Sequence, residues 1–269
     1  MQDFYMAERV NYNKKSFVDM YRETGILLRD KYSGSLQKGL WSDIKRLWAL
    51  EPLGYVVGYT MFGGAKIDLS KRTMVPRPET EWWVAKAIEE ISSDAKETIR
   101  CLDMFAGSGC IGLAVLNNIG GSHVDFADVD EQALEQIAIN LEVNKMPSKR
   151  TQIIKSDIFE NINGKYDYIL ANPPYVPEVV RAKVFTSALN YEPHIGLFGG
   201  RDGCETLFRF LKQSRQHLNS GGKIWIEFVD ILDFQIERIK NFLNQLGYDN
   251  FDFNKGEPGK SMLYLKISI

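Results

Sequence analysis

Asn172-Pro173-Pro174-Tyr175 follows directly on the apolar run Tyr168-Ile169-Leu170-Ala171, and these residue types suit one chemical task. Two consecutive prolines remove two backbone donors and fix φ, so neither a helix nor a central strand continues through them. What remains is a stiff loop offering one side-chain amide, backbone carbonyls and an aromatic face. The Asn172 oxygen and the Pro173 carbonyl could accept the two hydrogens of a planar NH2 group, with Pro174 stiffening the turn and Tyr175 covering the plane. Tyr175 is expected to pack rather than titrate, because an ordinary phenol ionises only near pH ~10. The plainer alternative for the tetrapeptide alone, and the less favoured one, is an ordinary proline-rich turn at a strand end.

A second constellation precedes it. Asp103-Met104-Phe105-Ala106-Gly107-Ser108-Gly109 links a predicted strand to a predicted helix, where glycines permit tight turning and a helix N-terminus favours negative groups. Gly107, Gly109 and Gly112 also satisfy GxGxxG, and Asp128 lies 21 residues beyond Gly107 (128 − 107), so a dinucleotide is one reading. Two further acids favour another. Asp103, just before the loop, is placed to fix a ligand's ammonium group or to brace the loop. Asp157, after the third strand, is placed to accept from an adenine amino group, with Ile158 and Phe159 as apolar cover. Any one of these acids alone could be a turn former or helix cap. Acids at the ends of three successive strands, followed by NPPY at the end of a fourth, suit S-adenosylmethionine.

These residues need a scaffold that brings strand ends together. From residue 99 the pattern alternates: strand Ile99–Phe105, helix Ile111–Asn118, strand Val124–Ala127, helix Glu131–Asn144, strand Gln152–Ile154 and the NPPY strand. An irregular stretch then runs to about Gly203. Helix Glu205–Leu218, strand Lys223–Phe228, helix Leu232–Leu246 and the strand pair Asp249–Asn254 and Ser261–Ser268 complete the chain. Such alternation predicts an α/β fold with a doubly wound, mostly parallel sheet whose ligands lie over the strand carboxyl ends. Residues 1–50 read as a small N-terminal helical domain, with Leu36, Leu40, Ile44 and Leu47 at helical spacing and Trp41 and Trp48 beside them. Residues 51–75, broken by Gly54, Gly58, Gly63 and Gly64, read as a β-hairpin linker through Tyr55-Val56-Val57, Met61-Phe62 and Lys66–Leu69. Residues 76–269 form the predicted main domain. Pro78 opens its first helix, with Glu79 and Glu81 in the first turn.

Composition excludes several classes. The 269 residues are 44% hydrophobic and 25% charged, as in an ordinary globular protein able to bury a core without staples. No apolar run approaches the ~18 residues of a membrane span, and the acidic N-terminus has no signal layout. Cys101, Cys110 and Cys204 have no paired spacing with one another or with the three histidines, which argues against metal and disulfides and for a cytoplasmic location. A formal net charge of −2 argues against broad nucleic-acid binding. No heptad seam or long apolar patch stands out, which favours a monomer.

The NPPY tetrapeptide and the glycine loop resemble the class I S-adenosylmethionine-dependent methyltransferases of amide and exocyclic amino nitrogens. Glu51-Pro52-Leu53-Gly54-Tyr55, then Val75-Pro76-Arg77-Pro78-Glu79-Thr80-Glu81, narrow the match. Together with Tyr191-Glu192-Pro193 and Leu197-Phe198-Gly199-Gly200-Arg201-Asp202-Gly203, they resemble the PrmC/HemK family of release factor glutamine methyltransferases over roughly residues 45–269. The resemblance implies a seven-stranded sheet, S-adenosylmethionine as methyl donor without a metal, and a class 1 peptide chain release factor as protein substrate, methylated on the amide nitrogen of the glutamine in its Gly-Gly-Gln motif. It further implies that Phe105, Ala106, Gly107, Ser108 and Gly109 wrap the donor's methionine part, that Asp128 meets its ribose and Asp157 and Ile158 its adenine. Asn172, Pro173, Pro174 and Tyr175 would hold the glutamine, with Asn172 also meeting the donor. Phe105 replaces the family's usual first glycine, and Ile158 replaces a frequent aromatic. The rival readings are an N6-adenine or other nucleic-acid amino methyltransferase acting on a flipped base, a ribosomal-protein glutamine methyltransferase, and a non-catalytic module of the same fold. A dehydrogenase would leave NPPY without a role.

Overall fold

A computed structural model describes residues 16–229, 231–232, 234–256 and 263–269. The first fifteen residues and the predicted strand start at Ser261 lie outside them. Ser16 caps α1 (Phe17–Asp30) by accepting from the Asp19 N–H, and α2 (Leu40–Trp48) follows. Their buried face, Leu27, Leu40, Ile44 and Leu47, joins Tyr32 and Val56 in a small core of its own. Leu36, predicted at the same helical spacing, is instead 85% exposed. Gly39, at φ 101°, stops α2 from extending backwards to it. Trp41 and Trp48 lie on the solvent side of α2, at 75% and 60% exposure.

The predicted strand Tyr55-Val56-Val57 is a helix, α3 (Leu53–Val57). Pro52 opens it, and Gly58, at φ 98°, closes it through a 2.8 Å bond from its N–H to the Gly54 carbonyl. Terminal chemistry overrides the β preference of three residues here. The hairpin itself pairs β1 (Tyr59–Phe62), which contains the predicted Met61-Phe62, with antiparallel β2 (Ala65–Asp68). Helix α4 (Pro78–Ser92) carries Pro78 at its start with Glu79 and Glu81 in its first turn.

Beyond it come β3 (Ile99–Met104), α5 (Cys110–Asn118), β4 (Ser122–Asp128), α6 (Glu131–Val143), β5 (Thr151–Lys155) and β6 (Tyr166–Ala171). The predicted irregular stretch contains a short helix, α7 (Thr186–Tyr191), between two 3-10 segments, Glu178–Lys183 and His194–Gly196. Then α8 (Glu205–Ser214), β7 (Leu218–Phe228), α9 (Gln235–Gln245), β8 (Phe251–Lys255) and β9 (Leu263–Ser268) follow. The main sheet has the order β5-β4-β3-β6-β7-β9-β8. Its first five strands are parallel, and β9 runs antiparallel to both β7 and β8. All six residues of β6 are buried, as expected for a central strand covered on both faces. The sheet order reverses between β3 and β6, so their carboxyl ends flank the crevice where such folds hold ligands. The glycine loop leaves one and NPPY leaves the other. No helix among the described residues is long and apolar enough to cross a membrane.

Ionic contacts tie α2 to the segment after the hairpin, and neutral hydrogen bonds tie its end to α7. Arg46 donates to both Glu51 oxygens at 2.8 and 2.7 Å and to Asp43 at 3.0 Å, and Arg72 donates to Glu51 at 2.7 Å. Ser187 Oγ donates to the Leu50 carbonyl and the Tyr191 hydroxyl to that of Ala49.

Candidate active site

A cavity of about 350 Å³ opens over the carboxyl ends of β3, β4, β5 and β6. Phe105, Ala106, Gly107 and Ser108 line it, as do Asp128, Asp157, Ile158, Asn172 and Pro174. Four chain segments separated by up to 69 residues (174 − 105) thereby converge. Asp103, Gly109, Pro173 and Tyr175 are buried behind this lining. The sequence-predicted residues thus form two layers, one facing the cavity and one supporting it.

The glycine loop is held by the acids beside it. Asp128 accepts from the Gly107 N–H at 2.8 Å and from the Asp130 N–H at 2.9 Å. Burial pushes its carboxyl above the ordinary carboxylate range, against the pull of those N–H donors. Asp103, fully buried, accepts from the Gly112 N–H at 2.8 Å through one oxygen. Its other oxygen has no hydrogen-bond partner among the described residues, and burial drives its carboxyl well above the usual range. Its bond to the Gly112 N–H braces the first turn of α5, just beyond the loop. Phe105 adopts a φ of 61°, the left-handed region where glycine is the usual resident. The loop therefore keeps the glycine geometry without the glycine. Its ring meets Phe210 at 5.8 Å. Ile158 is likewise left-handed, at φ 54°, and buried.

Asp157 is exposed and pairs with Arg209 at 2.8 Å. Arg209 also lines the cavity, a position that nothing in its sequence neighbourhood signals.

Asn172 differs from these acids. Its side-chain amide makes no hydrogen bond to another described residue, although the residue lines the cavity. It is therefore available to a ligand in both its acceptor and its donor. Tyr175, behind it, donates its hydroxyl to Glu227 at 3.2 Å and packs edge-on against Phe228.

The PRPETE and YEP segments meet NPPY in space. Thr73, Pro76 and Thr80 line the cavity from the side of α4, and Pro193, Gly196 and Phe198 from the stretch after α7. Arg77 is paired with Glu192, which joins the PRPETE segment to Tyr191-Glu192-Pro193. Thr73 Oγ1 is buried without a hydrogen-bond partner among the described residues. Two buried acids stand on this side, Glu192, read in the sequence as part of a motif and not as a site residue, and Glu227, which sequence reasoning left out. Glu227 carries a signal, an acid inside the apolar run Ile224-Trp225-Ile226-Glu227-Phe228, because charges seldom enter a central strand without a partner.

The residues present fit S-adenosylmethionine. A glycine-rich turn, an acid at the end of the second strand of the crevice and another after the third surround one cavity large enough for a small-molecule ligand. Residues 86–190 match the methyltransferase small domain family. A release factor glutamine methyltransferase of Lactococcus lactis is 31% identical over 75% of this chain and 72% of its own length. One of Streptococcus pneumoniae is 33% identical over 74% of this chain and 70% of its own length. Among solved structures, a ribosomal protein L11 methylase of Lactobacillus delbrueckii shares the fold, with a TM-score of 0.52 at 19% identity over 73% of this chain and 81% of that one.

Proposed function

The chain belongs to the release factor glutamine methyltransferase family, and from that premise we propose that it methylates the side-chain amide nitrogen of the glutamine in the Gly-Gly-Gln motif of a class 1 release factor. It is an S-adenosylmethionine-dependent enzyme. One observation carries the finer reading: the Asn172 amide, which makes no hydrogen bond among the described residues, and the Phe105–Ser108 loop line the same cavity. The donor, when bound, supplies an electrophilic methyl group. Phe105 to Gly109 and Asp128 would hold it on one side, with Asp157 and Ile158 toward its adenine.

On the other side the chain has to present a poor nucleophile, since an amide nitrogen's lone pair is delocalised. The Asn172 oxygen and the Pro173 carbonyl would accept the two amide hydrogens and fix the nitrogen's direction. Orientation of this kind supplies up to ~7–11 kcal/mol of barrier lowering in the best cases. The same acceptors strengthen as positive charge develops on the nitrogen. A cytoplasmic enzyme acting as a monomer is consistent with this task.

The test is mass spectrometry of a purified class 1 release factor after incubation with the chain and S-adenosylmethionine, with Asn172→Ala alongside. One methyl group gained on the Gly-Gly-Gln glutamine, and absent with the variant, supports the reading. Methylation of a ribosomal protein or of an adenine in its place overturns the substrate and keeps the chemistry.

A further inference from the structure

Glu227 is an acid buried beside the cavity, 3% exposed at the end of β7. Three side chains donate to it. Thr80 Oγ1 and Trp83 Nε1 reach Oε2 at 2.6 and 2.9 Å, and the Tyr175 hydroxyl reaches Oε1 at 3.2 Å. Two of these come from α4, 147 and 144 residues away in sequence, and the third from NPPY, 52 residues away. Burial lifts its carboxyl above the ordinary range and the three donors pull it back. A buried acid of this kind is seldom worth its desolvation for stability alone, since an apolar residue of similar shape often does as well.

The NPPY loop explains why an acid stands there. Pro173 and Pro174 have no N–H, so the loop lacks two of the backbone donors that would normally fix it to its neighbours. Beyond the prolines, the Val176 N–H bonds the Leu197 carbonyl at 2.9 Å. Between that anchor and the end of β6, the Tyr175 hydroxyl on Glu227 ties the loop to the scaffold. Thr80, on the same acid, lines the cavity as Asn172 does. One carboxyl group therefore sets two parts of the cavity wall against each other.

We infer that Glu227 is a positioning residue for amide methylation, holding Tyr175 and Thr80 so that the Asn172 amide faces the cavity in a fixed direction. The inference rests on the proposed glutamine reading for its rate effect, and on geometry alone for its effect on the loop.

Two measurements on the full chain test it, with Glu227→Gln, Tyr175→Phe and the double variant. Tyr175→Phe removes one hydroxyl and keeps the ring, so it serves if Glu227→Gln fails to fold. Hydrogen exchange at the Tyr175 and Val176 amides should quicken about tenfold in either variant, with the exchange of β3 to β5 unchanged. With release factor as substrate at saturating donor, kcat should fall about 10–100-fold while KM and donor affinity hold. The double variant should be no slower than the slower single, because both act through one contact. Unchanged exchange at Tyr175 and Val176 overturns the inference. So do effects that multiply in the double variant, or a parallel loss of thermal stability, donor affinity and rate that marks Glu227 as merely structural. If the wild type leaves the release factor unmethylated, the substrate reading fails, and the exchange measurement still decides the role of Glu227.

Discussion

The two walls of the cavity are braced in different ways. On the glycine-loop wall the backbone N–H groups are held from close in sequence. Gly107 donates to Asp128, 21 residues away, Gly112 to Asp103, 9 residues away, and the Ala106 N–H to the Ala127 carbonyl of the adjoining strand. On the NPPY wall the side-chain ties come from afar, Thr80 to Glu227 across 147 residues and Arg77 to Glu192 across 115, beside the local bond from the Val176 N–H to the Leu197 carbonyl. The first wall is backbone held by nearby acids, and the second is a donor-poor loop held by distant side chains. It follows that the two walls should fail separately, the first through donor affinity and the second through turnover.

The largest expected effect lies on the NPPY wall. Asn172→Ala should lower kcat by about 10²–10³, the loss typical of removing one oriented hydrogen-bonding partner of a reacting group. Donor affinity, read by calorimetry, should stay close to that of the wild type. A variant that loses both together would show the walls to be one unit.

Two glycines sharpen the contrast. A Cβ at Gly203, where φ is 80°, would sit 2.2 Å from the Tyr175 carbonyl oxygen. A Cβ at Gly112 would sit 2.3 Å from the Phe126 ring. Each Ala substitution should cost about 1–3 kcal/mol by overpacking, measured by urea denaturation. Gly112→Ala should also weaken donor binding, through Asp103, while Gly203→Ala should lower turnover of the protein substrate. The reverse assignment would break the comparison.

The same contrast explains what can be read from the chain. The acids and glycines of the first wall are neighbours in sequence, so Asp103, Phe105 to Gly109 and Asp128 form a pattern recognisable from residue order alone. Glu227 stands out only as an oddity in an apolar strand, because nothing local indicates that Thr80 and Tyr175 meet it. Arg209 has no signal at all. Elsewhere the β-branched Val56-Val57 suggests a strand, yet Pro52 and the left-handed Gly58 enclose a helix. Leu36 matches the spacing of α2 but lies beyond the glycine at which that helix starts. In each case a positive φ or a contact far along the chain decides the outcome, and neither is written in hydrophobic period.

Asp128 offers a smaller effect with two opposite signs. Burial raises its folded pKa above the ~3.9 of an unfolded aspartate. Between those values the folded chain holds a proton that the unfolded chain has released, so its stability contribution falls as pH rises through the raised pKa. Donor binding through an ionised Asp128 runs the other way and weakens as pH falls through the same range. Thermal melts from pH ~4 upward, with and without donor, should show this crossing in the wild type and lose it in Asp128→Asn. A crossing that persists in the variant would assign it to another acid.

The smallest effect is expected at Phe105. Holding a non-glycine residue at φ 61° costs about 1–2 kcal/mol, and Phe105→Gly would relieve that. Glycine adds about 0.5–1 kcal/mol of unfolded-chain entropy, and the variant loses the ring contact with Phe210 at 5.8 Å, about 0.5–1.5 kcal/mol. The half-buried ring, packed against the core, also gives up apolar burial of about 1 kcal/mol, so stability should fall by about 1 kcal/mol. A gain in stability would mean that backbone strain outweighs packing on the glycine-loop wall. A larger loss would mean that the ring, and not the backbone, holds the loop, and the first wall would then depend on distant side chains as the second does.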